Sequence, residues 1–151
     1  MIDYRDEFYV RLYRCWLVVS ILGQGKSGHN ILSIRKAAFF DFLVRNPRVL
    51  HDFLVKFGRL KEAAPYKDIL YSSNIDYGAF QDYQDFLRSA LVLEVEGYVR
   101  IVRCEGDFFV ESTDKRFDFD GVGLHALKMH LELLKPLVKK SLSVLYKGVL
   151  K

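Results

Sequence analysis

The stretch Ile31–Leu54 (ILSIRKAAFFDFLVRNPRVLHDFL) most constrains what this chain can fold into, because one helical pattern stops and another starts within three residues. Ser33 is placed to cap a first helix, its hydroxyl accepting from an amide one turn further on. Arg45-Asn46-Pro47 then supplies a cation for the helix end, a new cap and a first-turn proline, whose missing N–H has no partner to lose there. So short a hinge makes a corner between two packed helices, the opening of a helix-turn-helix or winged-helix core. It contains no catalytic constellation. The pattern points to an adaptor or a nucleic-acid reader before it points to an enzyme.

Residues 4–22 predict a long first helix. Phe8, Leu12, Trp16, Val19 and Leu22 recur at helical spacing, Tyr9, Tyr13 and Leu17 widen the stripe, and Cys15–Leu22 is apolar on nearly every side. After the corner, Leu50, Phe53, Leu54 and Phe57 share a face, and Gly58 closes that helix. Residues 59–72, interrupted by Pro65, read as irregular. Ser73–Asp76 offers a capping box for a third helix to about Leu91, with Phe80, Tyr83, Phe86, Leu87, Ala90 and Leu91 inward.

The period then switches. Val95, Val99 and Ile101 belong to strand-forming segments, and Glu105-Gly106-Asp107 predicts a hairpin turn into Phe108–Ser112. From about Gly123 to Tyr146, Leu124, Leu127, Leu131, Leu134, Val138, Leu142 and Leu145 mark a coiled-coil-like seam. That predicts a rod about 36 Å long, with Pro136 as its point of bending. The fold class expected is α+β, mostly α: a winged-helix core with a β-hairpin wing and long N- and C-terminal helices. One domain would span 1–151, with the N-terminal helix at 1–23, helix-turn-helix plus wing at 31–115, and a basic amphipathic helix at 121–151.

A chain of 151 residues, half of them hydrophobic and 15% aromatic, has ample material for one core. A domain of this size buries roughly 70% of the surface its unfolded form exposes. The surplus of large side chains favours an apolar patch left over for a partner. Two cysteines, Cys15 and Cys104, stand in no metal-ligand spacing, and Asp3, Asp6 and Glu7 make the N-terminus unlike a basic targeting segment. The longest apolar run, interrupted by Ser20 and ended by Gly23, is too short for a bilayer. A cytoplasmic location without membrane contact is expected.

Three tempting chemistries fail on spacing. Gly23-Gln24-Gly25-Lys26-Ser27 resembles half a phosphate-binding loop, but Ser20 stands where its first glycine belongs, and a helix precedes it where a strand is required. His125 and His130 lie about 140° apart around a helix, so they cannot share an ion. His51 and Asp52 are sequence neighbours that point to different sides, and His29 falls in a turn. No nucleophile sits in a sharp-turn motif. No catalytic, cofactor-binding or metal-binding residue is expected, and the chain is read as a non-enzyme.

Duplex reading by a winged helix would place the third helix in the major groove, armed with Arg, Lys, Asn or Gln. Residues 75–91 carry Asp76, Asp82 and Asp85 against the single Arg88, beside Gln81 and Gln84. Those carboxylates oppose the counterion release that drives such binding. The wing cations Arg100, Arg103, Lys115 and Arg116 are diluted by Glu94, Glu96, Glu105, Asp107, Glu111 and Asp114. The net charge of +4 lies instead on residues 124–151, with six lysines against Glu132. Lys128, Lys135, Lys139, Lys140 and Lys147, with Tyr9 and Tyr13 of the first helix, are therefore the expected partner-binding side chains.

The run LSIRKAAFFDFLVRNPRVL, the helix ending FLRSALVLEVEG and the hairpin after it resemble the small middle components of bacterial ABC-three-component systems. Lamassu-type anti-phage and anti-plasmid defence is the closest subtype. The resemblance spans residues 5–115, and its most specific part is Lys36…Phe42-Leu43…Asn46-Pro47. It implies a non-enzymatic winged-helix subunit that bridges an SMC-like ABC ATPase and an effector nuclease, with indirect DNA contact through the complex open to it. It brings no catalytic residue with it. The charge of the basic C-terminal helix suits docking on either an acidic protein surface or a DNA backbone. The alternative is a winged-helix DNA-binding transcriptional regulator, dimerised through the C-terminal helix.

Overall fold

Helix α1 (Tyr4–Leu22) is the axis on which the other elements pack. The computed structural model describes residues 4–23, 32–59, 81–119 and 124–149. From Leu12 to Leu22 α1 is buried except at Arg14, Ser20 and Ile21, as its all-round apolar composition requires, whereas residues 7–11 stand free of the core. Gly23 ends it, its amide donating to the Val19 carbonyl at 2.8 Å. The rest of the phosphate-loop look-alike lies outside the described residues.

The corner forms as expected. Ser33 caps α2 (Ile34–Arg45), its hydroxyl accepting from the Lys36 amide at 3.1 Å. Pro47 opens α3 (Pro47–Lys56) after Asn46 alone. The role of Asn46 differs from expectation. Its side chain makes no N-cap bond to α3 and instead donates from Nδ2 to the Phe42 carbonyl at 2.7 Å, closing the helix behind it. Gly58, at φ +73°, ends α3 in a Schellman turn, with amides of Gly58 and Arg59 on the carbonyls of Val55 and Leu54.

The capping box at Ser73–Asp76, Pro65 and Phe80 lie outside the described residues. The described part of the third helix, α4, runs Gln84–Val95, four residues beyond the expected end. Gly97, at φ +84°, explains the difference. Gly97 and Tyr98 donate to Glu94 and Leu93 in a second Schellman turn, so Val95 is a helical residue and not part of a strand. Phe86, Ser89, Ala90 and Leu93 face the core, while Leu91 faces out, which corrects its inward assignment.

Strands β1 (Val99–Cys104) and β2 (Asp107–Ser112) pair antiparallel, with Cys104 opposite Asp107 and Val99 opposite Ser112. The turn is Glu105-Gly106, both at positive φ (52° and 80°), the two-residue type whose twist suits a hairpin. The backbone before α2 joins this sheet: Ser33 bridges Phe109, and the Val110 amide donates to Leu32 at 2.9 Å. A helix, a strand stub, further helices and a hairpin closing on that stub make a helix-rich α+β core with a β-hairpin wing.

The expected C-terminal rod does not form. Helix α5 (Leu124–Leu134) passes into a 3-10 turn, Lys135–Leu137, and a separate short helix α6 (Leu142–Lys147) follows. Pro136 cannot continue the hydrogen-bond ladder, and Ser141 starts the new helix by accepting from the Val144 amide at 3.4 Å. The break lets Leu131, Leu134, Leu137, Val138 and Leu145 all stay buried against a globular core, which a straight rod could not do. Lys36 Nζ donates to the freed Val138 carbonyl at 2.8 Å, and Lys56 Nζ to that of Gly148 at 3.0 Å. No helix among the described residues is long and apolar enough to cross a membrane.

Candidate functional site

Helix α4 occupies the place before the wing where a duplex-reading helix would sit, and its outer face decides what it can touch. Arg88, Leu91, Val92 and Val95 recur there at i, i+3, i+4 and i+7, one side of a helix. Leu91 is 46% exposed, Val92 36% and Val95 84%, so the stripe is apolar and uncovered along two turns. Arg88, the helix's one cation, lies 3.4 Å from Asp85, and both side chains are about three-quarters exposed. Asp82 is also exposed, its Oδ1 accepting from the Gln84 amide at 3.0 Å. Asp76 lies outside the described residues. Two of the three acids thus face solvent beside an aliphatic stripe.

Among the described residues Arg100 is the wing cation held in an ion pair, while Arg103, Lys115 and Arg116 are exposed and keep their charge. Arg100 pairs across the hairpin with Glu111 at 3.2 Å. Lys115 donates to the Glu96 carbonyl at 2.6 Å and lies over the Tyr98 ring, while Arg103 lies over Phe108. Glu94 of α4 accepts from the Ile101 amide at 2.8 Å, locking helix and wing into one surface. Phe108 near the wing tip is half exposed.

The expected partner-binding residues divide. Lys128, Lys135, Lys139, Lys140 and Lys147 are exposed, but the break at Pro136 sets them around turns and two short helices in place of one straight face. Tyr9 is 48% exposed, beside Phe8 at 47%, on the free end of α1. Tyr13 is a correction: at 4% exposure it is a core residue, packed against Trp16, Phe117 and Phe119. The segment after β2 folds back over α1 and covers it.

Asp41 was not singled out from the sequence, yet it is the buried carboxylate of the core. Arg14 Nε lies 2.7 Å from Oδ1 and Arg45 Nε 3.2 Å from Oδ2. Burial, and secondarily the charge of Asp41, pushes the neighbouring Cys15 thiol up to about 12. Cys104 is exposed on the wing. His130 is brought near His51 of α3, and burial, with that second imidazole, lowers its pKa. Among the described residues no three His, Cys, Asp or Glu side chains cluster as metal ligands would.

No protein-family model, curated protein or solved structure matches the chain.

Proposed function

We propose that this chain is a non-enzymatic scaffold subunit of a cytoplasmic, bacterial SMC-like ATPase defence complex, bridging the ATPase and a nuclease-type effector in anti-phage or anti-plasmid immunity. The observation that supports a protein-binding role is the outer face of α4. A helix in the reading position that presents Leu91, Val92 and Val95, with exposed Asp82 and Asp85, suits an apolar protein groove and repels phosphate. The exposed lysines from Lys128 to Lys147, spread over the C-terminal segment, add electrostatic attraction for an acidic partner. The complex itself is implied by the resemblance of residues 5–115.

Co-expression with the proteins encoded beside it tests the proposal. The expected result is co-purification with a large ATPase and a nuclease-like chain, and no duplex binding by the isolated subunit. Sequence-preferring duplex binding by the subunit alone, falling steeply with salt, would overturn it in favour of a DNA-binding regulator.

A further inference from the structure

A groove of about 570 Å³ lies between α1, the segment that follows β2 and α5, and of its lining residues Lys128 alone also belongs to the lysines of the protein-binding reading. Its size falls within the range typical of small-molecule sites. The floor is aromatic. Tyr13 and Trp16 of α1 lie beneath Phe117 and Phe119, with the rings of Tyr13 and Phe119 5.6 Å apart and those of Trp16 and Phe117 6.3 Å apart. Phe117 and Phe119 are themselves only partly covered. Two exposed cations, Arg116 and Lys128, stand on the rim, arriving from separate elements.

Trp16 adds an independent observation. It is 8% exposed, and its buried indole N–H has no hydrogen-bond partner among the described residues. Such a donor is costly to leave unpaired, and buried tryptophans ordinarily find an acceptor. An acceptor brought by a ligand would satisfy it.

We propose that this groove binds a nucleoside 5′-monophosphate. The base lies against the ring floor, the phosphate sits between Arg116 and Lys128, and Trp16 Nε1–H donates to a ligand oxygen or ring nitrogen. The polar remainder of the lining selects a base over a hydrocarbon. Asp118 accepts from an exocyclic amine and the Ser20 hydroxyl serves the ribose, whereas a fatty acid would use the cations and leave both against alkyl chain.

Trp16 is the only tryptophan in the chain, so its fluorescence reports this groove alone. The purified full chain is titrated with AMP, excited at the red edge of tryptophan absorption, with inorganic phosphate, adenosine and octanoate as comparisons. The expected result is saturable quenching by AMP, with each comparison compound weaker by about tenfold or more, the value of one lost charge-assisted hydrogen bond. Arg116→Ala with Lys128→Ala, both surface changes that leave the circular dichroism unaltered, weakens AMP by about tenfold or more. Calorimetry on Trp16→Phe reads the indole donor separately. Absence of saturable quenching by AMP, an equal response to octanoate or phosphate, or undiminished binding in the double variant overturns the proposal. So does binding only of a phosphorylated oligonucleotide, which would make the groove a strand contact.

Discussion

Gly148 offers a test in which local propensity and packing predict opposite signs. It follows α6 at φ −69° and ψ −21°, ordinary helical values that alanine prefers. On backbone grounds alone, Gly148→Ala should stabilise the protein by about 0.4–1 kcal/mol. The structure forbids that gain. A Cβ here would meet Phe57 Cε2 at 2.6 Å and Phe53 Cδ2 and Cε2 at 2.8 Å, against 3.4–4 Å for ordinary contact. Phe53 is fully buried, so its ring cannot swing into solvent. Overpacking of this kind costs about 1–3 kcal/mol. The net is a loss of about 1–2 kcal/mol, and at roughly 3 °C per kcal/mol for this size Tm should fall by about 3–6 °C. Thermal unfolding followed by circular dichroism reads the change. Adding Phe57→Leu should recover part of the loss, a non-additivity of about 0.5–1 kcal/mol between contacting residues. An unchanged or raised Tm in Gly148→Ala would refute the docking of the C-terminal segment on α3.

Asp41→Ala removes the partner of Arg14 and Arg45, leaving Arg14 only 19% exposed. A loss of about 2–4 kcal/mol in chemical denaturation is expected, most of it through Arg14, since the more exposed Arg45 is screened by solvent; a loss no larger than that of a surface change would contradict the network. A maleimide at pH 8 should label Cys104 alone in the native protein and both thiols after unfolding, because Cys15 is buried with its thiol pKa pushed up to about 12. Two rapid modifications of the native chain would be inconsistent with that burial. His130 is held below its ordinary value of 6.5 by burial and by His51, so the unfolded chain takes up its proton first as pH falls. Stability is then fully present above 6.5 and declines on acidification down to the folded-state value, where the loss levels off. His130→Gln should flatten this part of the denaturation-midpoint profile between neutral and mildly acidic pH, and an identical slope in both proteins would discount it.

What was legible in the sequence was local. The corner at Arg45-Asn46-Pro47, the Ser33 cap and the Gly58 stop each depend on residues within one turn, and the Glu105-Gly106 turn is set by residues that tolerate positive φ. The misplaced end of α4 came from reading Val95 by its β-branched preference, when Gly97 two residues on determines the stop. The C-terminal rod failed for a related reason. The leucine seam is satisfied equally by a straight helix and by two short ones wrapped on a core, and the Ser141 cap selects the second. Long-range partners left no periodic signal. Asp41 meets Arg14 27 residues away, and Tyr13 is covered by Phe117 and Phe119 from the far end of the chain. A tyrosine on a helical stripe looks the same whether a partner or its own chain will bury it.

The aliphatic face before the wing is most directly tested by placing charge on it. In Leu91→Glu with Val95→Glu both changed side chains stand in solvent, so the isolated subunit should keep its Tm within about 1–2 °C. Size-exclusion chromatography of the co-expressed complex then reads assembly directly. Loss of the ATPase or the nuclease chain from the subunit's peak is the predicted result, and a complex that elutes intact with the doubly charged helix would contradict it.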